Sequence, residues 1–175
     1  MTTQLILVSL SLIAMFVILT VAHNHAAQTD QDLAYRLIRD VMMIIYIGGL
    51  IYFTFIWGNR AGLHSIELRF NFYLIKSFVN FKYDPGTHTS LMNLMLFVPM
   101  GFILPQFSKL KLNWPKTILT GLAISLLIET MQLALHRGAF QLDDLLVNTL
   151  GTLVGYGLFC VSRVISSNEK MITIK

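Results

Sequence analysis

Five apolar runs constrain this chain more than anything else in it. They fall at about residues 5–22, 41–57, 90–107, 117–135 and 145–162. Backbone N–H and C=O groups cannot stay unbonded in hydrocarbon, and a helix bonds all of them within one segment. At 1.5 Å of rise per residue, a run of about 18 residues reaches about 27 Å, close to the roughly 30 Å hydrocarbon core of a bilayer. The third run holds Pro99 and Gly101, and its apolar centre, Leu91–Pro105, is short, so it needs its flanking residues or shielding by neighbours. Composition agrees. Only 13% of residues are charged, about half the usual share for a soluble domain, and mean hydropathy is +0.65. The expectation is an integral membrane protein of all-α class. It is a polytopic helical bundle of about five transmembrane helices, plus one amphipathic interfacial or re-entrant helix, in a single domain over residues 1–175.

The connections carry the remaining signals. His23–Asp40 reads as a polar connection, with His23 and His25 as solvated loop histidines. In the second run, Gly48-Gly49 suggests close helix approach at mid-depth. Between the second and third runs, Ile66, Phe70, Tyr73, Leu74 and Phe78 recur at helical spacing against Glu67, Arg69, Asn71 and Lys76. That pattern predicts a helix lying on the membrane surface or dipping into it. The lone cysteine, Cys160, excludes an intramolecular disulfide or a cysteine metal cage and reads as a small buried hydrophobe.

Charge distribution gives an orientation. Lysines and arginines number thirteen against nine acidic residues, and no basic tract interleaved with aromatics points to nucleic acid. With the N-terminus outside, the inner side carries eight of the positives and the outer side five. The positive-inside rule therefore predicts an outside N-terminus and an inside C-terminus.

Alternation of the spans then places the polar residues. The connections after the second and fourth spans share one membrane face. Asn93 begins the third span, Glu129 and Gln132 close the fourth, and Asn148 begins the fifth. Together with Arg60, Arg137, Asp143 and Asp144, they converge at that face. Glu129 and Gln132, three apart, share a helix face. Asp144, Asn148, Gly151 and Gly155 form one stripe, in which Gly151 and Gly155 are a small-xxx-small pair suited to close packing. Arg137 is the natural counter-ion for the three carboxylates, and its planar fork also suits a phosphate or carboxylate ligand. Ionisable groups in membrane spans are functional candidates by default, although Asp143 or Asp144 also fits a helix N-cap. Neither a cofactor nor a metal site is expected, with a divalent ion at Glu129, Asp143 and Asp144 the lesser alternative.

These residues resemble the VanZ-like membrane family, named for a teicoplanin-resistance accessory protein. The resemblance rests on Glu129-x-x-Gln132, Arg137, Phe140-Gln141-Leu142-Asp143-Asp144 and Asn148-Thr149-x-Gly151-x-x-x-Gly155-Tyr156. A second block, Asn93-x-x-x-Phe97-x-Pro99-x-Gly101-Phe102, matches as well, so the resemblance covers Asn93–Tyr156. Gln141 stands where the family has its first acidic residue, and the proline common near Asn71 is missing. The resemblance implies a multi-pass protein of the bacterial cytoplasmic membrane, in some members linked to lower glycopeptide sensitivity.

Three functions compete on this basis. The first is binding or modification of a lipid-linked envelope precursor or an anionic headgroup, with membrane lipids as partners. Glu129, Asp144 and Arg137 are then the candidate catalytic groups, and Asn93, Gln132, Asp143, Asn148 and Arg60 bind or orient. The second is a non-catalytic accessory protein that shields or organises envelope components. The third is a small proton-coupled transporter, which would place polar groups at mid-depth on several helices.

Overall fold

A computed structural model describes residues 32–57, 65–80, 85–107 and 112–173, with positions 11, 14, 15, 17, 18 and 20–22. Those early positions are helical, and Met15 packs into the core. The rest of the first expected span lies outside the described residues, as do His23, His25 and Arg60.

Helix α1, Asp32–Ile51, runs on through a π-helical segment, Tyr52–Trp57. A short strand β1, Ile66–Glu67, precedes helix α2, Tyr73–Asn80. Helix α3, Pro85–Ile103, ends in a 3-10 turn, Leu104–Gln106. Helix α4 is Trp114–Ala134. Strand β2, Phe140–Gln141, leads directly into helix α5, Leu142–Thr173. Among the described residues, α1, α3, α4 and α5 supply four helices long and apolar enough to cross a membrane.

Local sequence explains where α4 starts and stops. Asn113 is its N-cap, accepting the Lys116 N–H, and Pro115 occupies the first turn, where its missing N–H costs nothing. At the other end the Arg137 N–H reaches back to the Gln132 carbonyl and the His136 N–H to the Leu133 carbonyl. His136 has a positive φ of 53°. This is a Schellman stop with histidine in the usual glycine place, and it turns the chain towards β2.

Burial is inverted relative to a soluble protein. Glu129, Thr117, Thr152 and Ser125 are among the most deeply buried side chains, while Ile44, Ile45, Leu119, Leu127, Leu153 and Val161 face outwards. Lipid tails solvate leucine as well as another leucine does, so helices associate through close packing and polar contacts instead. The long α3–α5 interface shows how. A Cβ added at Gly101 would lie 1.9 Å from the Thr152 carbonyl oxygen, at Gly151 2.2 Å from that of Leu94, and at Gly155 2.0 Å from that of Val98. Only hydrogen fits there. An apolar core of Tyr46, Leu50, Phe97, Met100, Phe102 and Ile103 fills the space between α1 and α3.

Several expectations are corrected. The connection expected over His23–Asp40 is helical from Asp32, and its Arg39 is buried, bonding Asp40 and the Gln106 carbonyl and stacking on Phe107. A helix rich in apolar residues can carry Arg39 because those partners satisfy its charge. Gly48 and Gly49 have nothing within 4 Å of an added Cβ among the described residues, so they mark no close helix approach there. The surface helix starts at Tyr73, because Ile66 and Glu67 pair in parallel with Phe140 and Gln141 instead. Helical spacing of apolar residues cannot report a backbone pairing with a segment seventy positions away. Cys160 is exposed on the outer face of α5 rather than buried.

Candidate functional site

A cavity of about 180 Å³ lies towards the end of the bundle where the π-helical segment after α1, the first two-thirds of α3, the last turns of α4 and the first turns of α5 meet. Its polar wall includes His88, Asn93, Glu129, Gln132, Arg137, Asp144 and Asn148, and its apolar wall includes Phe53, Met92, Phe97 and Ile128. The convergence expected from span alternation therefore holds for Asn93, Glu129, Gln132, Arg137, Asp144 and Asn148. Asp143 lies beside the cavity without lining it.

Four of these side chains are held by specific neighbours. Glu129, 2% exposed, accepts the Gln141 backbone N–H at 3.0 Å. Gln132 Nε2 donates to the Thr54 carbonyl at 3.2 Å, and Arg137 Nη1 to the Phe55 carbonyl at 3.0 Å. The π-helical segment after α1 is thereby tied to the end of α4. Asn148 Nδ2 donates to Ser125 Oγ at 2.8 Å, crossing from α5 to α4, whereas Asn148 Oδ1 is buried with no hydrogen-bond partner among the described residues. Membrane helices gain only about 0.6 kcal/mol on average from one such interhelical bond. Several together fix register more than they add stability.

Asp143 is turned to a different task. Its carboxylate accepts the N–H of Asn71 at 2.8 Å and of Phe72 at 3.1 Å, at the entrance to α2. Phe72 has a positive φ of 51°, so the chain bends sharply where Asp143 holds it. A divalent ion shared by Glu129, Asp143 and Asp144 does not fit this placement, since Asp143 faces α2. Arg137 is likewise corrected as counter-ion to three carboxylates: among the described residues its guanidinium bonds a backbone carbonyl.

Gln141 turns out to matter through its backbone as much as its side chain. Its N–H reaches Glu129, and its Nε2 donates to Glu67 Oε2 at 3.1 Å across the β1–β2 pair. A glutamine at this place can donate to Glu67, which a carboxylate could not. Sequence reasoning missed Thr54, His88 and Gly138 in the cavity wall and Ser125 behind it. A signal was present for His88. It stands in the polar stretch Thr87–Ser90, shortly before Asn93, on the face where alternation had already gathered the site.

Fold and cavity together define a polytopic helical membrane protein with a polar site at one end of its bundle. Within that class the chain belongs to the VanZ/LLP1 family, whose model matches residues 7–163, nearly the whole length. No curated protein and no solved structure matches it.

Proposed function

We propose that this protein binds or modifies a lipid-linked or anionic component of the bacterial cell envelope. The observation that carries the proposal is the convergence of two buried carboxylates, a buried amide and an arginine on one cavity at a membrane end. Arg137, exposed at the cavity mouth, is placed to meet an anionic group. Glu129 and Asp144 supply acid, base or hydrogen-bonding groups deeper in, with Asn93, Gln132 and Asn148 orienting what enters. An outside N-terminus and inside C-terminus, as the charge distribution favours, put this cavity at the outer face of the cytoplasmic membrane. There it has access to the precursors that glycopeptides such as teicoplanin bind.

A non-catalytic organising role is the second reading. Its support is that Gln132, Arg137 and Asp143 all hold backbone groups of other elements, so the polar cluster also registers the bundle. Transport has the least support, because the cavity lies at one end of the bundle rather than at mid-depth.

The test is expression of Glu129→Gln, Arg137→Ala and Asp144→Asn in a glycopeptide-sensitive host, scored by teicoplanin susceptibility and membrane insertion. Loss of protection by inserted variants supports the proposal. Normal insertion with wild-type protection by all three refutes it. Profiling of lipids and cell-wall precursors with and without the protein separates modification from organisation.

A further inference from the structure

Helix α2 is amphipathic the wrong way round for water. Phe72, Ile75, Lys76 and Val79 fall at i, i+3, i+4 and i+7, so they share one face of the helix, whose first bonded turn runs from the Phe72 carbonyl to the Lys76 N–H. That face points outwards. Phe72 is 45% exposed, Ile75 60% and Val79 65%, with Lys76 exposed among them. Tyr73, Leu74 and Ser77, on the other side, are half-buried. Tyr73 packs there against the start of α3. Its ring comes within 2.6 Å of where a Cβ on Gly86 would lie, and its carbonyl accepts the Thr87 hydroxyl at 3.4 Å. The outward apolar surface continues along the chain before the helix. The Phe70 and Phe72 rings stack at 5.5 Å, and Ile66 and Leu68 are 62% and 66% exposed. An apolar patch of this extent marks a membrane or protein contact.

We infer that residues 66–79 are seated in the bilayer leaflet on the cavity side, with Phe70, Phe72, Ile75 and Val79 among acyl chains and Arg69 and Lys76 on lipid phosphates. Charge favours lipid over the other occupants. Arg69 and Lys76 are exposed on this segment, whereas its one acid, Glu67, is half-buried and accepts a bond from Gln141. A second copy docked face to face would bring each Lys76 towards its twin with no free carboxylate between them. A leaflet instead offers acyl chains to the apolar face and anionic phosphates to the cations. The long lysine stem lets its ammonium rise to the phosphates while Ile75 and Val79 stay below. This seat bears on the site. Helix α2 rests on Gly86 and Thr87, and the next two residues, His88 and Thr89, line the cavity. Asp143, which holds the entrance to α2, directly precedes Asp144 in the cavity wall. A membrane-seated α2 therefore holds the cavity rim at headgroup depth, whatever the cavity binds.

The test uses the full chain with Cys160→Ser, which removes its one cysteine, in vesicles of phosphatidylethanolamine and phosphatidylglycerol. A nitroxide is attached at Ile75→Cys or Val79→Cys, exposed positions where a label displaces little packing. Its collisions with oxygen, which concentrates among acyl chains, and with a water-soluble nickel chelate are then measured. The oxygen-to-nickel ratio should rise several-fold above that of free label in buffer, towards the value at Leu153→Cys on the outer face of α5. A ratio equal to that of the free label places the patch in water and overturns the inference. Few collisions with either reagent mean a protein cover and overturn it too, and spin–spin broadening would then identify a second copy. Lys76→Glu should lower the ratio at position 79 in these vesicles and less in phosphatidylcholine alone; an effect absent or equal in both overturns the phosphate pairing. The unsubstituted chain, irradiated with a phospholipid carrying a diazirine in its acyl chain, should form adducts within residues 66–79. Their absence while the spans are labelled overturns the inference without recourse to any variant.

Discussion

Replacing Gly155 by alanine sets two opposed effects against each other, and the structure decides between them. Alanine is favoured over glycine in a helix interior by about 1 kcal/mol, so the change should help α5 in isolation. In the bundle, the new methyl carbon would lie 2.0 Å from the Val98 carbonyl oxygen and 3.0 Å from Gly101 Cα, where ordinary contact begins at 3.4 Å. The obstacle is backbone, which cannot rotate aside as a side chain can, so α3 and α5 must part by more than about 1 Å in a close-packed interface. Overpacking of this kind costs about 1–3 kcal/mol, and the separation also disturbs the similar contacts at Gly101 and Gly151. Gly157, two residues further along the same helix and on its opposite side, has nothing within 4 Å of an added Cβ among the described residues and serves as the control. Gly155→Ala should therefore be less stable than Gly157→Ala by about 1–3 kcal/mol, the cost of overpacking alone, since the propensity gain is common to both. Reversible unfolding in mixed micelles measures both variants. Equal stability of the two would refute the claim that bare backbone contact holds α3 on α5.

Other consequences are equally specific. Asp143→Ala removes the acceptor for the Asn71 and Phe72 N–H groups and should destabilise the entrance to α2 by about 1–3 kcal/mol. Hydrogen exchange should speed up locally around residues 71–76, with the α3–α5 interface unchanged. Arg39→Ala deletes bonds to Asp40 and the Gln106 carbonyl and a stacking contact with Phe107 at 4.0 Å. It should lower thermal stability, and Arg39→Lys should restore only part of it, because an ammonium lacks the planar fork. Protease access to tags at each end should find the C-terminus inside; an outside C-terminus would move the cavity to the cytoplasmic face and undercut the glycopeptide connection.

What the sequence determined by itself was the solvent and, through it, the placement of the site. Apolar runs of bilayer length admit few backbones, and alternation then forces Asn93, Glu129, Gln132 and Asn148 to one face whatever their side chains do. The extent of α1 was harder to see, because Arg39 and Asp40 look like a loop until Gln106 and Phe107 arrive to offset the penalty of burying Arg39. Only the tertiary structure could assign partners. Asp143 and Asp144 are adjacent and chemically identical, yet one holds the entrance to α2 and the other lines the cavity, since neighbours on a helix point about 100° apart. Gly48-Gly49 and Gly151/Gly155 likewise offer the same small residues, but among the described residues only the second pair meets a neighbouring backbone. Residue type sets what a group can do; its direction on the packed helix sets which of those things it does.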